Sequence, residues 1–155
     1  MFQGRLVAIC VADMKRVDLK SVDQIEAVAG QGLAGDRYFQ QAGTFSQPAA
    51  PDREVTLIES EALEALARED GITLQLTQAR RNLVTRDVPL NHLVGREFSV
   101  GEVILRGLRL CEPCDHLETL TISGVKKGLL HRGGLRAQIV RGGLLKSGDL
   151  VQPSA

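Results

Sequence analysis

Apolar and polar residues alternate in short runs along most of the chain, and glycine, proline or charged pairs separate the runs. Such runs predict strands, because successive side chains of a strand point to opposite faces. Residues 2–12 are rich in β-branched and apolar side chains and predict a first strand. The charged residues 13–18 predict a loop, and residues 22–28 alternate weakly as a second strand. Residues 30–37 form a glycine-punctuated loop. Residues 43–51 carry Gly, Ser, two Pro and two Ala, with little to bury, and predict a mobile surface loop.

Residues 54–58 predict another short strand. Ser60 then suits a helix N-cap, with Glu61 and Glu64 in a first turn where the helix dipole favours acids. Leu63, Leu66 and Ala67 share one face by their three-and-four spacing, and Asp70-Gly71 ends this helix. Thr77 can cap a single turn through Arg80, and residues 81–85 return to extended structure. Residues 98–100, a Gly101-Glu102 turn and residues 103–110 read as a hairpin. Beyond it, residues 125–130 predict a short helix, residues 135–141 a strand, and 144–145 and 150–151 brief strands between turns. Many short strands and one clear helix predict a mainly β fold. The expected form is a closed β-barrel of short, mostly antiparallel strands with one or two peripheral helices, as a single domain over 1–155. Regular β-α alternation, the mark of a doubly wound sheet, is missing.

Composition narrows the function classes. In 155 residues, 43% are hydrophobic, so a packed core is available. Lys+Arg and Asp+Glu number 19 each. That balance argues against a general nucleic-acid partner, which needs a basic excess, but leaves room for a local basic pocket. No apolar run approaches the roughly 20 residues of a membrane span, and residues 1–12 lack a secretory-signal pattern. The expectation is a cytoplasmic chain with no membrane partner. An odd count of three cysteines, Cys10, Cys111 and Cys114, then points to chemistry or packing rather than a disulfide framework. Oligomeric state has no signal in the sequence.

The chemistry-bearing residues gather in Cys111-Glu112-Pro113-Cys114-Asp115-His116, where the strand of residues 103–110 must stop at Pro113. Four readings stand. A structural zinc site would add His116 and His131 to the two cysteines, but those histidines do not form the close pair of a finger. A thioredoxin-type dithiol would want a long helix beginning at the first cysteine. Both cysteines could be small buried hydrophobes, against which Glu112, Asp115 and His116 are poor company. A single reactive thiolate at Cys114, its pKa lowered by a nearby imidazolium or arginine, accounts best for the residue types. Such a thiolate can carry sulfane sulfur or ligate a soft or high-valent metal.

Other polar groups could serve it. Asp36 and Arg37 close the first glycine loop, as a turn or as part of a site. Arg80, Arg81 and Asn82 put two guanidinium groups beside an amide at a strand start, as solvated surface or as part of a site, and arginine is the usual reader of phosphate or carboxylate. Arg132, Gly133 and Gly134 combine a guanidinium with backbone able to face an anion. His92, between Leu90 and Leu93, reads as structural.

With these residues assembled, the sequence resembles the MOSC family, the domain at the C-terminus of molybdenum-cofactor sulfurases that also occurs as small free-standing proteins. The resemblance rests on Gly32-Leu-Ala-Gly-Asp-Arg37, Arg81-Asn-Leu-Val84 and Leu93-Val-Gly-Arg-Glu-Phe-Ser-Val-Gly101. It continues through Glu112-Pro-Cys114 with Leu117, His131-Arg-Gly-Gly134, and Lys146-Ser-Gly-Asp149. It implies a β-barrel fold, an association with molybdenum cofactor (molybdopterin) and sulfur delivery, and Cys114 as the working cysteine and metal ligand. Arg81, Arg132 and Arg37 would then hold the pterin phosphate or another anion, with Asp36, Gly133 and Gly134 shaping the site. Asn82 and His116 would orient it. The implied partners are a sulfur donor such as a cysteine desulfurase, or an electron-donor protein. Larger members carry an additional N-terminal β-barrel region that this sequence lacks. Pyridoxal phosphate, bound by the sulfurases on a separate domain, is not expected on this chain. Two alternatives follow: a cofactor-loaded reductase of N-hydroxylated compounds, and a non-catalytic module binding an anionic small molecule.

Overall fold

A computed structural model describes residues 1–14, 16–39 and 50–154. Eleven strands run through them: β1 (Gly4–Val11), β2 (Lys20–Val22), β3 (Gln24–Val28), β4 (Gly32–Leu33), β5 (Val55–Glu59), β6 (Leu83–Arg86), β7 (Glu97–Val100), β8 (Val103–Leu110), β9 (Leu135–Arg141), β10 (Gly143–Lys146) and β11 (Leu150–Pro153). Seven of them close a ring in the order β1-β11-β7-β8-β9-β5-β6 and back to β1. Closure is made by antiparallel pairing of Gly4 with Val151 and of Arg5 with Leu150. The ring is the expected mainly β barrel, and β5–β6 is its one parallel pair. The parallel step needs a crossover, supplied by α1 (Ser60–Asp70). β2 extends β1, and β10-β3-β4 form a small separate sheet.

The hydrophobic pattern explains why some strands read as continuous apolar runs. Leu6, Ile9, Leu57, Leu83, Phe98, Leu105 and Leu135 fill the barrel interior. Ala8, Cys10, Ile58 and Val84 point outward, yet are equally buried beneath Leu63, Leu66, Leu117, Val125 and Leu129 of the helical layer. β1, β5 and β6 are therefore covered on both faces. A register shift between Leu6 and Ala8 lets β1 change parity and still serve both layers.

Among the described residues three α-helices are present where one or two were expected: α1, α2 (Asp115–Leu120) and α3 (Val125–Gly128). Ser60 is the first residue of α1 and Glu59 occupies the cap position, while Gly71 closes the helix in the left-handed conformation. The extended segment expected over 22–28 divides at Asp23 into β2 and β3. The loop expected over 43–51 lies mostly outside the described residues. Its last two positions lead into a 3-10 turn at Pro51–Arg53.

β8 and β9 deliver the cysteine stretch. The amide of Cys111 still donates to the carbonyl of Gly134 at 2.8 Å, one step beyond the end of β8. A bulge between Gly107 and Arg109 breaks simple alternation, so Arg109 turns to solvent although Leu105 and Gly107 are buried. Gly133 and Gly134 make this junction by close packing. A Cβ at Gly133 would stand 2.7 Å from both the Cys111 carbonyl oxygen and Pro113 Cδ. A Cβ at Gly134, whose φ is +122°, would stand 2.1 Å from the Leu57 carbonyl oxygen. These glycines let the turn reach the cysteine segment.

Gly134→Ala combines a backbone clash with a disallowed φ and is expected to destabilise the protein by about 1–3 kcal/mol. At roughly 2–4 °C per kcal/mol, thermal melts will show the loss. Val140→Ala, on an exposed position of β9, is expected to stay within about 0.5 kcal/mol of wild type. Equal melting temperatures for the two variants would refute the packing role of Gly134.

Candidate functional site

A cleft of about 80 Å³ opens at the edge of the barrel, lined by Arg37, Tyr38, Arg80, Arg81, Cys111, Glu112, Cys114, His116, Leu117 and Arg136. Four guanidinium groups, two thiols and one imidazole thus face one small space with a single carboxylate.

Each side chain arrives for a local reason. Asp36 is fully buried and latches the loop after β4 to the end of β1. Its carboxylate accepts from the amides of Ala12 at 3.1 Å and Tyr38 at 3.2 Å and from Arg37 Nη1 at 3.1 Å. The Arg37 amide donates to the Ala12 carbonyl at 2.6 Å. Arg37 is thereby held over the Tyr38 ring, 4.6 Å from its centroid. Arg80 sits in the left-handed conformation (φ 57°) at the end of a 3-10 turn over Leu76–Ala79, and its Nη1 donates to the Val17 carbonyl at 2.9 Å. Arg81 is only 8% exposed. Its Nε donates to the Gly133 carbonyl at 2.8 Å and its Nη2 to the Cys111 carbonyl at 3.1 Å. Arg136, on β9, donates through Nη1 to the Asp52 carbonyl at 3.2 Å.

The charges are unbalanced. Among the described residues, Arg80 and Arg81 have no carboxylate within ion-pair distance, whereas Arg37 pairs with Asp36. Burial pushes the Arg80 pKa down, and the neighbouring Arg37 and Arg81 push the same way. Burial also pushes His116 below its ordinary value, helped by Arg16, Arg80 and Arg37. Burial lowers the Arg136 pKa, but Cys111, Tyr38 and Asp52 beside it more than offset this and hold it above the usual value. Crowded cations with mutually unfavourable fields are the arrangement an anion relieves.

The two thiols differ in access. Cys111 is buried and Cys114 partly exposed, and neither is in a disulfide. Cys114 occupies the N-cap position of α2, its carbonyl accepting from the Glu118 amide at 3.2 Å. A helix therefore does follow the cysteines, although it runs for only six residues. The zinc reading loses its ligands. His131 is held outside the cleft by Glu112, whose Oε2 lies 2.8 Å from its Nδ1 and whose Oε1 accepts its amide at 2.7 Å. No group of three His, Cys, Asp or Glu suited to a metal exists among the described residues.

Of the residues singled out in the sequence, Arg37, Arg80, Arg81, Cys111, Glu112, Cys114 and His116 meet at the cleft. Asp36 stands behind it as the latch. Arg132 does not reach it: its Nε donates to the Gly128 carbonyl at 2.8 Å, and its Nη atoms approach Glu69 of α1 at 3.3–3.4 Å. Asn82 is not on it either. It is fully buried, its Oδ1 accepting from the Thr56 amide and hydroxyl and its Nδ2 donating to the Cys10 carbonyl, so it ties β1 to β5. Gly133 and Gly134 serve packing, as described above. Sequence reasoning missed Tyr38 and Arg136. An arginine between Leu135 and Ala137 in an apolar strand was the available signal for the second.

A closed barrel of short strands is the class of architecture seen here, and comparison with known proteins identifies its family. Residues 44–152 match the pattern of the MOSC domain, and the chain belongs to the MOSC domain family. The match takes in Arg80, Arg81, both cleft cysteines, His116 and Arg136, while Arg37 and Tyr38 precede it. Among solved structures, the fold is similar to the YuaD protein of Bacillus subtilis (17% identity, 97% of each chain covered, TM-score 0.77). It is also similar to YiiM of Geobacillus stearothermophilus (13% identity, 98% of this chain and 75% of the other, TM-score 0.75). For YiiM of Escherichia coli the identity is 18%, over 97% and 70% of the two chains, with a TM-score of 0.69. No curated protein matches the chain in sequence. Among the described residues, no helix is long and apolar enough to cross a membrane.

Two outcomes test the site. NMR titration of His116 is expected to give a pKa below its ordinary 6.5, and inorganic phosphate is expected to move it upward by relieving the cationic field. Because the folded value is the depressed one, the unfolded chain binds this proton first as pH falls. The corresponding stability is present above about 6.5 and declines as pH drops through the folded pKa. No upward movement with phosphate would refute anion binding beside His116. Second, a small alkylating agent is expected to modify Cys114 before Cys111, read by peptide mass mapping, because only Cys114 is accessible.

Proposed function

We propose that this MOSC protein carries sulfur on Cys114, as a persulfide, at a cationic cleft that receives the anionic end of molybdenum cofactor. The observation behind this reading is the partly exposed Cys114 thiol in a small cleft with four guanidinium groups, two of which have no carboxylate partner among the described residues. A donor such as a cysteine desulfurase can reach Cys114 from outside, while the arginines favour both a persulfide anion and a phosphate.

The residues fit the cofactor's charged groups. Arg80, Arg37 and Arg136 would take its phosphate, and the remaining arm of Arg81 would stabilise a thiolate or sulfur anion nearby. A cleft of about 80 Å³ takes an anionic group, well short of the ~300–1,000 Å³ usual for enclosing a whole ligand. The pterin ring would lie over the cleft mouth. When bound, the cofactor supplies a metal–sulfur centre able to accept sulfur; the chain supplies the anion seat, the thiol and shelter from bulk water. His116 lines the same cleft, and burial with the neighbouring arginines holds its pKa below the ordinary value, which disfavours a further positive charge in the cluster.

Wild-type protein incubated with a desulfurase-type donor is expected to gain the mass of one sulfur atom at Cys114, and Cys114→Ser none. Arg80→Ala is expected to keep sulfur loading while its affinity for the phosphorylated pterin falls. Loss of one charge-assisted contact costs about 1.5–3 kcal/mol, or roughly ten- to a hundredfold in Kd. Cys114→Ser that still loads sulfur would overturn the carrier role. Cys114→Ser with unchanged anion affinity and a wild type that never loads sulfur would leave a simple anion-binding module.

A further inference from the structure

A sulfur carrier needs one thiol, and this cleft holds two. Cys111 is the inner one, 4% exposed, and it lines the same cleft of about 80 Å³ as the partly exposed Cys114. Its backbone is fixed on both sides. The amide donates to the Gly134 carbonyl at 2.8 Å, and the carbonyl accepts from Arg81 Nη2 at 3.1 Å. Gly133 packs so closely that a Cβ there would stand 2.7 Å from the Cys111 carbonyl oxygen and from Pro113 Cδ. Pro113 stiffens the link between the two cysteines. Arg136 lies beside Cys111 and interacts electrostatically with it. An external donor can reach the outer thiol but not the inner one, and the inner thiol cannot leave the cleft.

We propose that Cys111 is the resolving thiol, which discharges sulfur from Cys114 as hydrosulfide; this rests on the carrier role of Cys114 proposed above. The Cys111 thiol passes its proton within the cleft to the outer sulfur of the Cys114 persulfide anion, and its Sγ attacks Sγ of Cys114. A Cys111–Cys114 disulfide bond forms, and the bond between Cys114 Sγ and the outer sulfur breaks. The electron pair of the broken bond leaves with the outer sulfur as hydrosulfide. The Cys111 sulfur is thereby oxidised from the thiol to the disulfide level, and the outer sulfur is reduced to sulfide. The hydrosulfide anion is released among four guanidinium groups, next to any acceptor seated on them. An external dithiol reductant, itself oxidised to its disulfide, restores the two thiols. Burial of Cys111 keeps it from being loaded in place of Cys114 and from being alkylated or oxidised by bulk reagents.

The full chain and Cys111→Ser are loaded anaerobically with inorganic polysulfide and desalted, and sulfide release without added thiol is followed alongside peptide mass mapping. Wild type is expected to release hydrosulfide as a Cys111–Cys114 disulfide accumulates in step. Cys111→Ser is expected to keep the Cys114 persulfide, with release slowed roughly tenfold or more because the intramolecular attack is gone. Cys111→Ala repeats the test without a hydroxyl, and thermal melts check that both variants fold. Should neither fold, wild type alone decides: release without a Cys111–Cys114 disulfide, or with a disulfide to Cys10, overturns the proposal. Equal release rates for wild type and a folded Cys111→Ser also overturn it, leaving Cys114 as a carrier. Failure of Cys114 to take up sulfur in any of the proteins removes the carrier reading and this one together.

Discussion

The buried guanidinium of Arg81 is the interaction on which the site depends. It enters the protein just ahead of β6, and its two hydrogen bonds hold the Cys111 segment and the Gly133 turn together. These two carbonyl oxygens accept from Nε and Nη2 but do not cancel its charge. Burying an uncompensated charge is costly, so the surroundings must supply negative potential or leave the group poorly stabilised. Inside the cleft that potential can come from a cysteine thiolate or from a ligand. The same residue that ties the cysteine loop in place thus also lines the cleft with positive charge.

The arginines differ in how far they are committed. Arg37 is matched by Asp36 and by the Tyr38 ring, so it is a fixed part of the wall. Arg80 is held by one carbonyl and sits in a left-handed backbone conformation that a non-glycine residue adopts only when its surroundings impose it. That strain is located beside the thiols rather than at a remote turn. Arg132, which looks equivalent in the sequence, is spent on the helical layer through Glu69, and burying Asn82 in the β1–β5–β6 junction serves the barrel.

The barrel was legible because period-two alternation survives in most strands, and closure follows once many short strands must hide their edges. The helix after Cys114 was not legible. Asp115-His-Leu-Glu-Thr-Leu120 is short, mixed in propensity and preceded by a cysteine, which is not a preferred cap. Arg136 was hidden for a different reason. Its place on the cleft depends on how β9 pairs with β8 across a bulge, and no local pattern encodes a bulge in the partner strand. Arg132 lies off the cleft because the direction of a long side chain is set by what lies opposite, here Glu69, which is far away in sequence.

The pairing of β1 with β11 carries a consequence for how the molecule is made. It joins the earliest strand to the latest, so the ring can close only after every intervening strand has been synthesised and arranged. Contacts of such long sequence separation incur their loop-closure entropy before they return any stabilisation, and chains built on them fold slowly. Local hairpins such as β7–β8 can form early, but they do not enclose anything. During that interval the cysteine thiols remain ordinary, solvent-accessible groups without their guanidinium neighbours. Their placement among the guanidinium groups is a property of the closed ring, acquired only when the seam between β1 and β11 forms.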